Sequence, residues 1–289
     1  MARTAMGNAT PTPEPASSVL LAAPEDDPLV PRLIHRFAEA GWDPVLVHRA
    51  DEIPWTLGLG RVAGIALDMA LPRAQEALHA LKLDPATDWI PVIAVFPRGS
   101  DPQHPPELRV RADVEAVQPV SAGQLVEAMG RKAIRSGPPP AAREVRFILP
   151  SQRAALDRAC EVASILLHSS GLGEADQTSF AAGFREAVGN AMQHGNGGDP
   201  AKSVRIVYRR DPVAVTFGVS DEGPGFDAQR YLQQVNAKEA AEAARDRYRE
   251  GRQGGLGILM LLRCSDVVRY NQKGNTLTCT KLIHKPRQA

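Results

Sequence analysis

Apolar runs alternate with amphipathic, helix-like stretches along the first half of the chain. We predict five strands there, at residues 18–23, 45–48, 61–67, 91–96 and 114–117. Helical spacing of apolar residues predicts helices at 29–40, 72–83 and 121–135, the last with Ser121 as its N-cap. Because strands that alternate with helices usually form a parallel sheet, the pattern predicts a doubly wound α/β domain with a five-stranded parallel sheet.

The second half has fewer and longer elements. Helices are expected at 152–169 and 176–194, and strands at 144–149, 204–208, 213–219, 266–270 and 276–283. The second and third of these strands are close enough in sequence to form a hairpin. The set predicts an α/β sandwich with helices on one face of a mixed sheet.

A Gly/Pro-rich run separates the two halves. Three consecutive prolines at 138–140 cannot continue a helix, and such a run behaves as a short spacer. The expected organisation is a disordered lead-in at 1–17, an α/β domain at 18–135, a linker at 136–143 and a second domain at 144–289.

Composition excludes some functional classes. Lys and Arg number 34 against 33 Asp and Glu, for a net charge of +1 without a long basic block, so nothing favours nucleic acid or an anionic membrane as a partner. No apolar run approaches the roughly 20 residues of a membrane span, and the Pro-rich start lacks the apolar core of a signal peptide. Three dispersed cysteines without metal-binding spacing favour buried thiols in a reducing compartment, and we expect a cytoplasmic protein.

Three motifs carry the candidate chemistry of the second half. Glu186, Asn190 and His194 are four residues apart, so a helix places them on one face. The acidic turn 221–225 (D-E-G-P-G) follows a predicted buried strand. The run 254–257 (G-G-L-G) precedes an apolar helix, where backbone N–H groups can approach phosphate oxygens. Taken singly, the first motif is equally explained by a solvated polar stripe, and the second by a turn without a ligand.

In this order, the E-x-x-x-N, D-x-G-x-G and G-x-G motifs resemble the ATP-binding boxes of the GHKL superfamily. That superfamily includes gyrase-type ATPases, histidine kinases and bacterial anti-sigma-factor serine kinases. The wording E-A-V-G-N-A-M-Q-H-G is closest to the anti-sigma-factor kinases, and the resemblance covers residues 144–289. It implies a Bergerat-type α/β sandwich that binds ATP and Mg²⁺, with residues 228–250 as the lid over the nucleotide.

Other branches of the superfamily fit less well. A histidine kinase would need a phospho-acceptor histidine on a helix before the ATP site, and only His168 lies there, with no acidic residue after it. A gyrase-like ATPase would need a long transducer domain after the ATP site, and we expect none.

The resemblance assigns a role to each motif residue. Asp221 is expected to accept a hydrogen bond from the adenine amino group, and Gly223 and Gly225 let the backbone turn beneath the base. Asn190 is expected to coordinate Mg²⁺. Glu186, one helical turn earlier, is placed to act as the general base toward a Ser/Thr hydroxyl of a partner, or toward water.

Phosphate binding is expected from the glycine loop, namely Gly254, Gly255, Leu256 and Gly257. Arg252 is expected to reach the γ-phosphate, with a solvated lid charge as the alternative, and Thr276 to touch the adenine side. His194 is more simply interpreted as an imidazole at the helix C-terminus.

The first half resembles the receiver domain of response regulators. Asp68 ends the third predicted strand, with Pro72 four residues on, and Glu25 and Asp26 follow the first strand. The resemblance implies that Asp68 is the phospho-acceptor, and that Glu25, Asp26 and Asp68 bind Mg²⁺.

Two residues depart from the receiver pattern. Phe96 stands where receivers carry Ser or Thr, and Gln118 stands before a proline where they carry Lys. We therefore expect a degenerate receiver used for docking or dimerisation rather than one phosphorylated on Asp68. For Glu25 and Asp27, a sheet-end carboxylate without a role stays an alternative.

Together these resemblances imply an ATP-dependent protein serine/threonine kinase in a bacterial partner-switching pathway. Its expected substrate is a small anti-sigma-factor antagonist, a sigma factor is an expected second partner, and a homodimer is expected. Two alternatives stay open: a non-catalytic ATP-binding interaction module, and an adaptor controlled by phosphorylation of Asp68.

Overall fold

The computed structural model describes residues 18–58, 62–133, 142–227 and 256–283. Within these ranges the chain forms two sheets, a five-stranded sheet in the first half and a six-stranded sheet that is mostly from the second. The predicted lead-in, most of the predicted linker and the predicted lid at 228–250 lie outside the described residues.

The N-terminal sheet is parallel throughout, as predicted. Its strand order is β2-β1-β3-β4-β6, the doubly wound order in which the first strand lies between the second and third. The strands are β1 (Ser18–Ala22), β2 (Asp43–Val47), β3 (Val62–Asp68), β4 (Val92–Phe96) and β6 (Val114–Val117). Each predicted strand is therefore present, with ends shifted by at most two residues among the described positions.

Helices cover both faces of this sheet. The four helices are α1 (Val30–Glu39), α2 (Ile53–Gly58), α3 (Ala74–Leu83) and α4 (Ala122–Ala133). Phe37 and Met129 anchor α1 and α4 on one face, whereas Ile53 and Leu78 anchor α2 and α3 on the other. The Ser121 Oγ accepts a hydrogen bond from the Gln124 N–H at 3.3 Å, which confirms the predicted N-cap. Helix α2, which follows a short 3₁₀ turn, was not predicted.

The C-terminal sheet has the order β10-β11-β9-β8-β7-β5. Every pairing in it is antiparallel, so the expectation of a mixed sheet is wrong for the described strands. Two of these pairs are hairpins with short connections, at 203–220 and at 267–282, whereas residues 151–202 connect the antiparallel strands at 143–150 and 203–210. The strands are β5 (Arg109–Val110), β7 (Arg143–Pro150), β8 (Ser203–Arg210), β9 (Ala214–Ser220), β10 (Val267–Tyr270) and β11 (Thr276–Leu282).

Three helices cover one face of this sheet: α5 (Arg153–His168), α6 (Glu174–Asn190) and α7 (Leu256–Cys264). An aromatic cluster fills the interface, with the Phe184 and Phe217 ring centroids 4.5 Å apart. The buried Tyr208 hydroxyl donates to the Leu166 carbonyl at 3.2 Å, and burial raises the pKa of Tyr208 to about 12. The opposite face is polar, and Thr216 and Thr280 join their hydroxyls across it at 2.9 Å.

The cysteine side chains and the lengths of the helices can be compared with what the composition predicts. Cys264 and Cys279 are buried, Cys160 is half-buried, and all three are free. Burial raises the pKa of the Cys279 thiol to about 11, so this thiol is unreactive. In the described parts of the chain no helix is long and apolar enough to cross a bilayer.

Candidate nucleotide site

Helix α6 carries the acid and the amide that the sequence analysis singled out. Glu186 and Asn190 are both half-buried, and the Asn190 Nδ2 donates to the Glu186 Oε1 at 3.0 Å. Phe184, Ala187 and Val188 are buried against the sheet and fix the rotation of the helix. The four-residue spacing therefore brings the two polar groups together on the half-buried side of α6.

The helix widens where this pair ends. Residues 191–195 form a π-turn in which the Asn196 N–H donates to the Ala191 carbonyl at 2.8 Å. Single π-turns of this kind are frequent at functional sites. The predicted α-helix thus ends at Asn190 rather than at His194, and the His194 side chain is exposed at the end of the π-turn.

Asp221 lies at the end of β9, in the acidic turn. Its Oδ1 accepts a hydrogen bond from the Gly223 N–H at 2.8 Å. Its backbone N–H donates to the Asn275 carbonyl at 3.1 Å, and its own carbonyl accepts from the Asn275 Nδ2 at 3.2 Å. Burial raises the pKa of the Asp221 carboxyl, whereas the bond from Gly223 acts in the opposite direction. A half-buried carboxylate with one oxygen held by the backbone is suited to accept a hydrogen bond from a ligand.

Glycines allow the acidic turn to lie directly on the end of α6. A Cβ on Gly195 would overlap the Asp221 carboxyl, and a Cβ on Gly223 would overlap the Gly195 carbonyl. Gly225 has φ +78° and lies against the Lys273 carbonyl, so both its conformation and its surroundings exclude a side chain. The glycines predicted to let the chain turn are thus required by backbone contacts.

The third motif meets the first at Gly257. A Cβ there would overlap the Glu186 Oε1 and lie 3.1 Å from the Asn190 Nδ2. The start of α7 is therefore in contact with the predicted base and the predicted Mg²⁺ ligand. Leu256 begins α7, whereas Arg252, Gly254 and Gly255 lie outside the described residues, and their predicted roles stay predictions.

Thr276 lies beside the acidic turn. It opens β11 opposite Ser220, and the Ser220 hydroxyl donates to the Thr276 Oγ1 at 3.0 Å. Its neighbour Asn275 holds the Asp221 backbone, so Thr276 lies near Asp221, and its contact with adenine stays a prediction.

Asn196 is a site residue that the sequence analysis missed. Its side chain is buried, and its Nδ2 donates to the Ser151 Oγ at 2.9 Å and to the Ser203 carbonyl at 3.1 Å. Its Oδ1 accepts the Glu222 N–H at 2.8 Å. One amide thus joins β7, β8 and the acidic turn. The only signal in the sequence is its position directly after the His-Gly pair.

The carboxylates of the N-terminal unit are arranged differently from the prediction. Asp27, rather than Glu25 or Asp26, is close enough to Asp68 to act on it, and Glu25 and Asp26 are exposed. The reason is that the Asp27 Oδ1 accepts the Leu29 N–H at 2.8 Å, which turns this residue inward at the start of α1. Burial raises the pKa of Asp68, and Asp27 raises it further, against the opposing bond from the Ala70 N–H.

Phe96, which stands where the receiver pattern predicts a hydroxyl, packs against an arginine side chain. The Arg109 guanidinium lies 5.0 Å from the centre of the Phe96 ring, in a cation–π contact. Gln118 follows β6, where receivers carry Lys. In the described residues no group of three or more His, Cys, Asp or Glu side chains could hold a metal ion, and Mg²⁺ binding by Glu25, Asp26 and Asp68 stays a prediction.

Comparison with known families covers the second half of the chain. Residues 149–281 match the family described as histidine kinase-like ATPase domain. This stretch is such a domain. The ATPase domain includes Glu186, Asn190, Asp221 and Gly257, all within the matched range. A search of curated proteins finds no match.

Solved structures resemble the N-terminal region. A sensor protein from Polaromonas sp. JS666 is 20% identical, with 43% of this chain and 100% of that chain covered and a TM-score of 0.35. The receiver domain of a signal transduction histidine kinase from Syntrophus aciditrophicus is 22% identical, covering 43% and 94%, with a TM-score of 0.36. The receiver domain of the Francisella response regulator 1452 is 18% identical, covering 42% and 99%, with a TM-score of 0.35.

The residues of the ATPase domain fit the nucleotide that its family implies. ATP needs an acceptor for its adenine amino group and close backbone approach to its phosphates. Asp221 offers the first, and Gly257 at the start of α7 offers the second next to Glu186 and Asn190. The ATP-binding role is thus consistent with the contacts of this chain.

Proposed function

We propose that this chain is an ATP-dependent serine/threonine protein kinase of the anti-sigma-factor type, acting in a bacterial partner-switching pathway. One observation carries the proposal: the Glu186 carboxylate lies 3.0 Å from the Asn190 amide and in contact with Gly257. A candidate base, a candidate Mg²⁺ ligand and a candidate phosphate loop thus meet at one point.

The surroundings of Glu186 support its role as a base. Among the described residues, no Lys, Arg or His forms an ion pair with Glu186, so no cation there neutralises the carboxylate. Glu186 would take the proton from the Ser or Thr hydroxyl of the substrate protein. Asn190 would hold Mg²⁺ and Asp221 the adenine, while bound ATP would supply the phosphoryl group.

The proposed substrate is a small anti-sigma-factor antagonist, and a sigma factor is a second proposed partner that the unphosphorylated antagonist would displace. We propose that the kinase is a homodimer and that its N-terminal unit regulates it. The residue sequence of the first motif, at 186–195, supports the anti-sigma-factor branch, while the arrangement of Glu186 and Asn190 supports phosphotransfer.

The test is a transfer assay with γ-labelled ATP, Mg²⁺ and a lysate of the source cells. Wild type, Glu186→Ala and Glu174→Ala are compared, because Glu174 is an exposed glutamate at the other end of α6. We expect an acid-stable labelled protein with wild type and Glu174→Ala, and a loss of at least a hundredfold with Glu186→Ala at unchanged ATP affinity.

Other outcomes separate the alternatives. Label that is lost in acid would indicate His or Asp chemistry and would contradict serine/threonine specificity. ATP binding without any transfer would instead support a non-catalytic interaction module. Equal labelling by Glu186→Ala and wild type would remove Glu186 from the mechanism.

A further inference from the structure

The N-terminal unit reaches into the ATPase domain through residues 97–113, here named the clasp. Arg109 and Val110 of the clasp form β5 and pair with Ile148 and Phe147 of β7. The Arg111 N–H extends this pairing by donating to the Arg146 carbonyl at 2.8 Å. Val110 is fully buried in the core of the ATPase domain. The clasp therefore covers the edge of β7 and belongs to both units.

The last residues of the clasp, 109–113, here called its base, are held by contacts with the N-terminal unit. The Arg109 guanidinium stacks on Phe96 and pairs with the Glu115 carboxylate at 2.5 Å, and both members of this ion pair are buried. The buried Lys82 pairs with Asp113 at 2.5 Å, at the return of the clasp to β6. Release of the clasp would leave the buried Arg109 and Lys82 charges without their partners, so these contacts oppose its detachment from the N-terminal unit.

The tip of the clasp reaches the acidic turn of the nucleotide site. The His104 Nε2 lies 3.3 Å from the Glu222 Oε1, and its Nδ1 lies 2.8 Å from the Asp101 Oδ2. Arg205 of β8 pairs with the same Glu222 oxygen at 2.9 Å. Glu222 directly follows Asp221. Through its own N–H it also bonds to Asn196.

We propose that His104 is a positioning residue through which the N-terminal unit sets the nucleotide affinity of the ATPase domain. This inference rests on the nucleotide site proposed above. Because His104 and Arg205 both hold the Glu222 carboxylate, the acidic turn keeps its binding conformation before the nucleotide binds. Binding then requires less ordering of the turn and is tighter. In this proposal His104 acts through its contact with Glu222.

The charges around His104 define its pH response. Among the described residues, Asp101 and Glu222 face His104, and Arg205 pairs with Glu222. The bond to Asp101 and the charge of Glu222 both raise the pKa of His104. The contact with Glu222 is therefore strongest when His104 is protonated, and weakens as the pH rises through its pKa. Exposed ion pairs are worth about 0.2–1 kcal/mol, which corresponds to a change of up to about fivefold in affinity.

The experiment measures ATP affinity by calorimetry on the full chain, at pH 6 and pH 8. His104→Ala is compared with His35→Ala, because His35 is an exposed histidine of the same unit that pairs with Glu39 at 3.1 Å, within its own helix. We expect His104→Ala to weaken binding two- to fivefold relative to His35→Ala at pH 6, and less at pH 8. His104→Lys should keep the tighter binding at both pH values, because its charge persists.

A double-mutant comparison tests the route through Glu222. Glu222→Gln removes the ionic contacts with both His104 and Arg205, so it should weaken binding at pH 6 at least as much as His104→Ala, and His104→Ala should add nothing in its presence. Equal affinities of His104→Ala and His35→Ala would overturn the inference while leaving ATP binding intact. Weaker binding that is independent of pH and not rescued by His104→Lys would also overturn it, in favour of a packing role. A wild-type chain that binds no ATP would overturn the nucleotide site itself.

Discussion

Replacing Asn196 by Ala is the most direct test of how the acidic turn is held. The side chain is 2% exposed and makes three hydrogen bonds, at 2.8, 2.9 and 3.1 Å. Alanine removes all three and leaves the Glu222 N–H and the Ser203 carbonyl without their side-chain partner. The remaining β-sheet bonds of β7 and β8 do not involve the amide, so the sheet itself is retained.

The expected loss follows from these three bonds. A hydrogen bond contributes about 1 kcal/mol net, and a buried group left unpaired costs about 1–3 kcal/mol. Three bonds therefore give a loss of about 3 kcal/mol in the free energy of unfolding, roughly a hundredfold in the ratio of folded to unfolded protein. Because Asn196 holds the backbone N–H next to Asp221, we also expect ATP affinity to fall at least tenfold.

Three measurements check this, with Gln193→Ala as the matched control. Gln193 lies in the same π-turn and its side chain is exposed. Urea unfolding followed by circular dichroism gives the stability, and hydrogen exchange of the 151–152 and 203–205 backbone shows whether the loss is local to Asn196. ATP affinity is measured by calorimetry. If Asn196→Ala and Gln193→Ala unfold at the same urea concentration and bind ATP equally, Asn196 does not hold the acidic turn.

Two further substitutions test other parts of the chain. Gly257→Ala should displace the Glu186 carboxylate, which its Cβ would overlap, and so lower kcat for phosphotransfer more than tenfold; an unchanged kcat would show that this contact is not catalytic. Asp68→Asn should raise the melting temperature at pH 8. The raised pKa of this buried carboxyl means that its stabilising, protonated form is present at low pH and is lost as the pH rises through that pKa. The expected rise in melting temperature is about 2–4 °C for each kcal/mol gained in a domain of this size. It should vanish below the ordinary carboxyl pKa. An equal rise at pH 3 and pH 8 would contradict this reasoning.

The sequence predicted the elements that have clear periodicity. Strands β3 and β4 are continuous apolar runs, and α5 carries apolar residues at helical spacing, so each was predicted to within two residues. Helix α2 was missed because its six residues include a proline and are too few for a periodic pattern. The antiparallel order of the C-terminal sheet was missed because periodicity does not specify the direction of strand pairing.

The candidate site likewise contains residues that sequence motifs predict and residues that only the fold brings together. Glu186, Asn190 and Asp221 were predicted because their spacing is a motif, and the glycines because close backbone approach needs them. Asn196 was not predicted, since its three partners lie up to 45 residues away in sequence, and only the fold brings them together. The pairing of Asp68 with Asp27 rather than with Glu25 or Asp26 depended on one turn at the start of α1.

The clasp contacts Phe96, one of the two residues at which the N-terminal unit departs from the receiver pattern. Phe96 supports Arg109, which is part of the strand that joins the ATPase sheet. A two-residue strand within a polar, proline-containing stretch carries no periodic signal, so this role was not visible in the sequence. Asp68 takes no part in the contacts of Arg109 with Phe96 and Glu115. We therefore expect the two units to be coupled in the unmodified protein, with signals reaching the nucleotide site by a change at the clasp tip around His104.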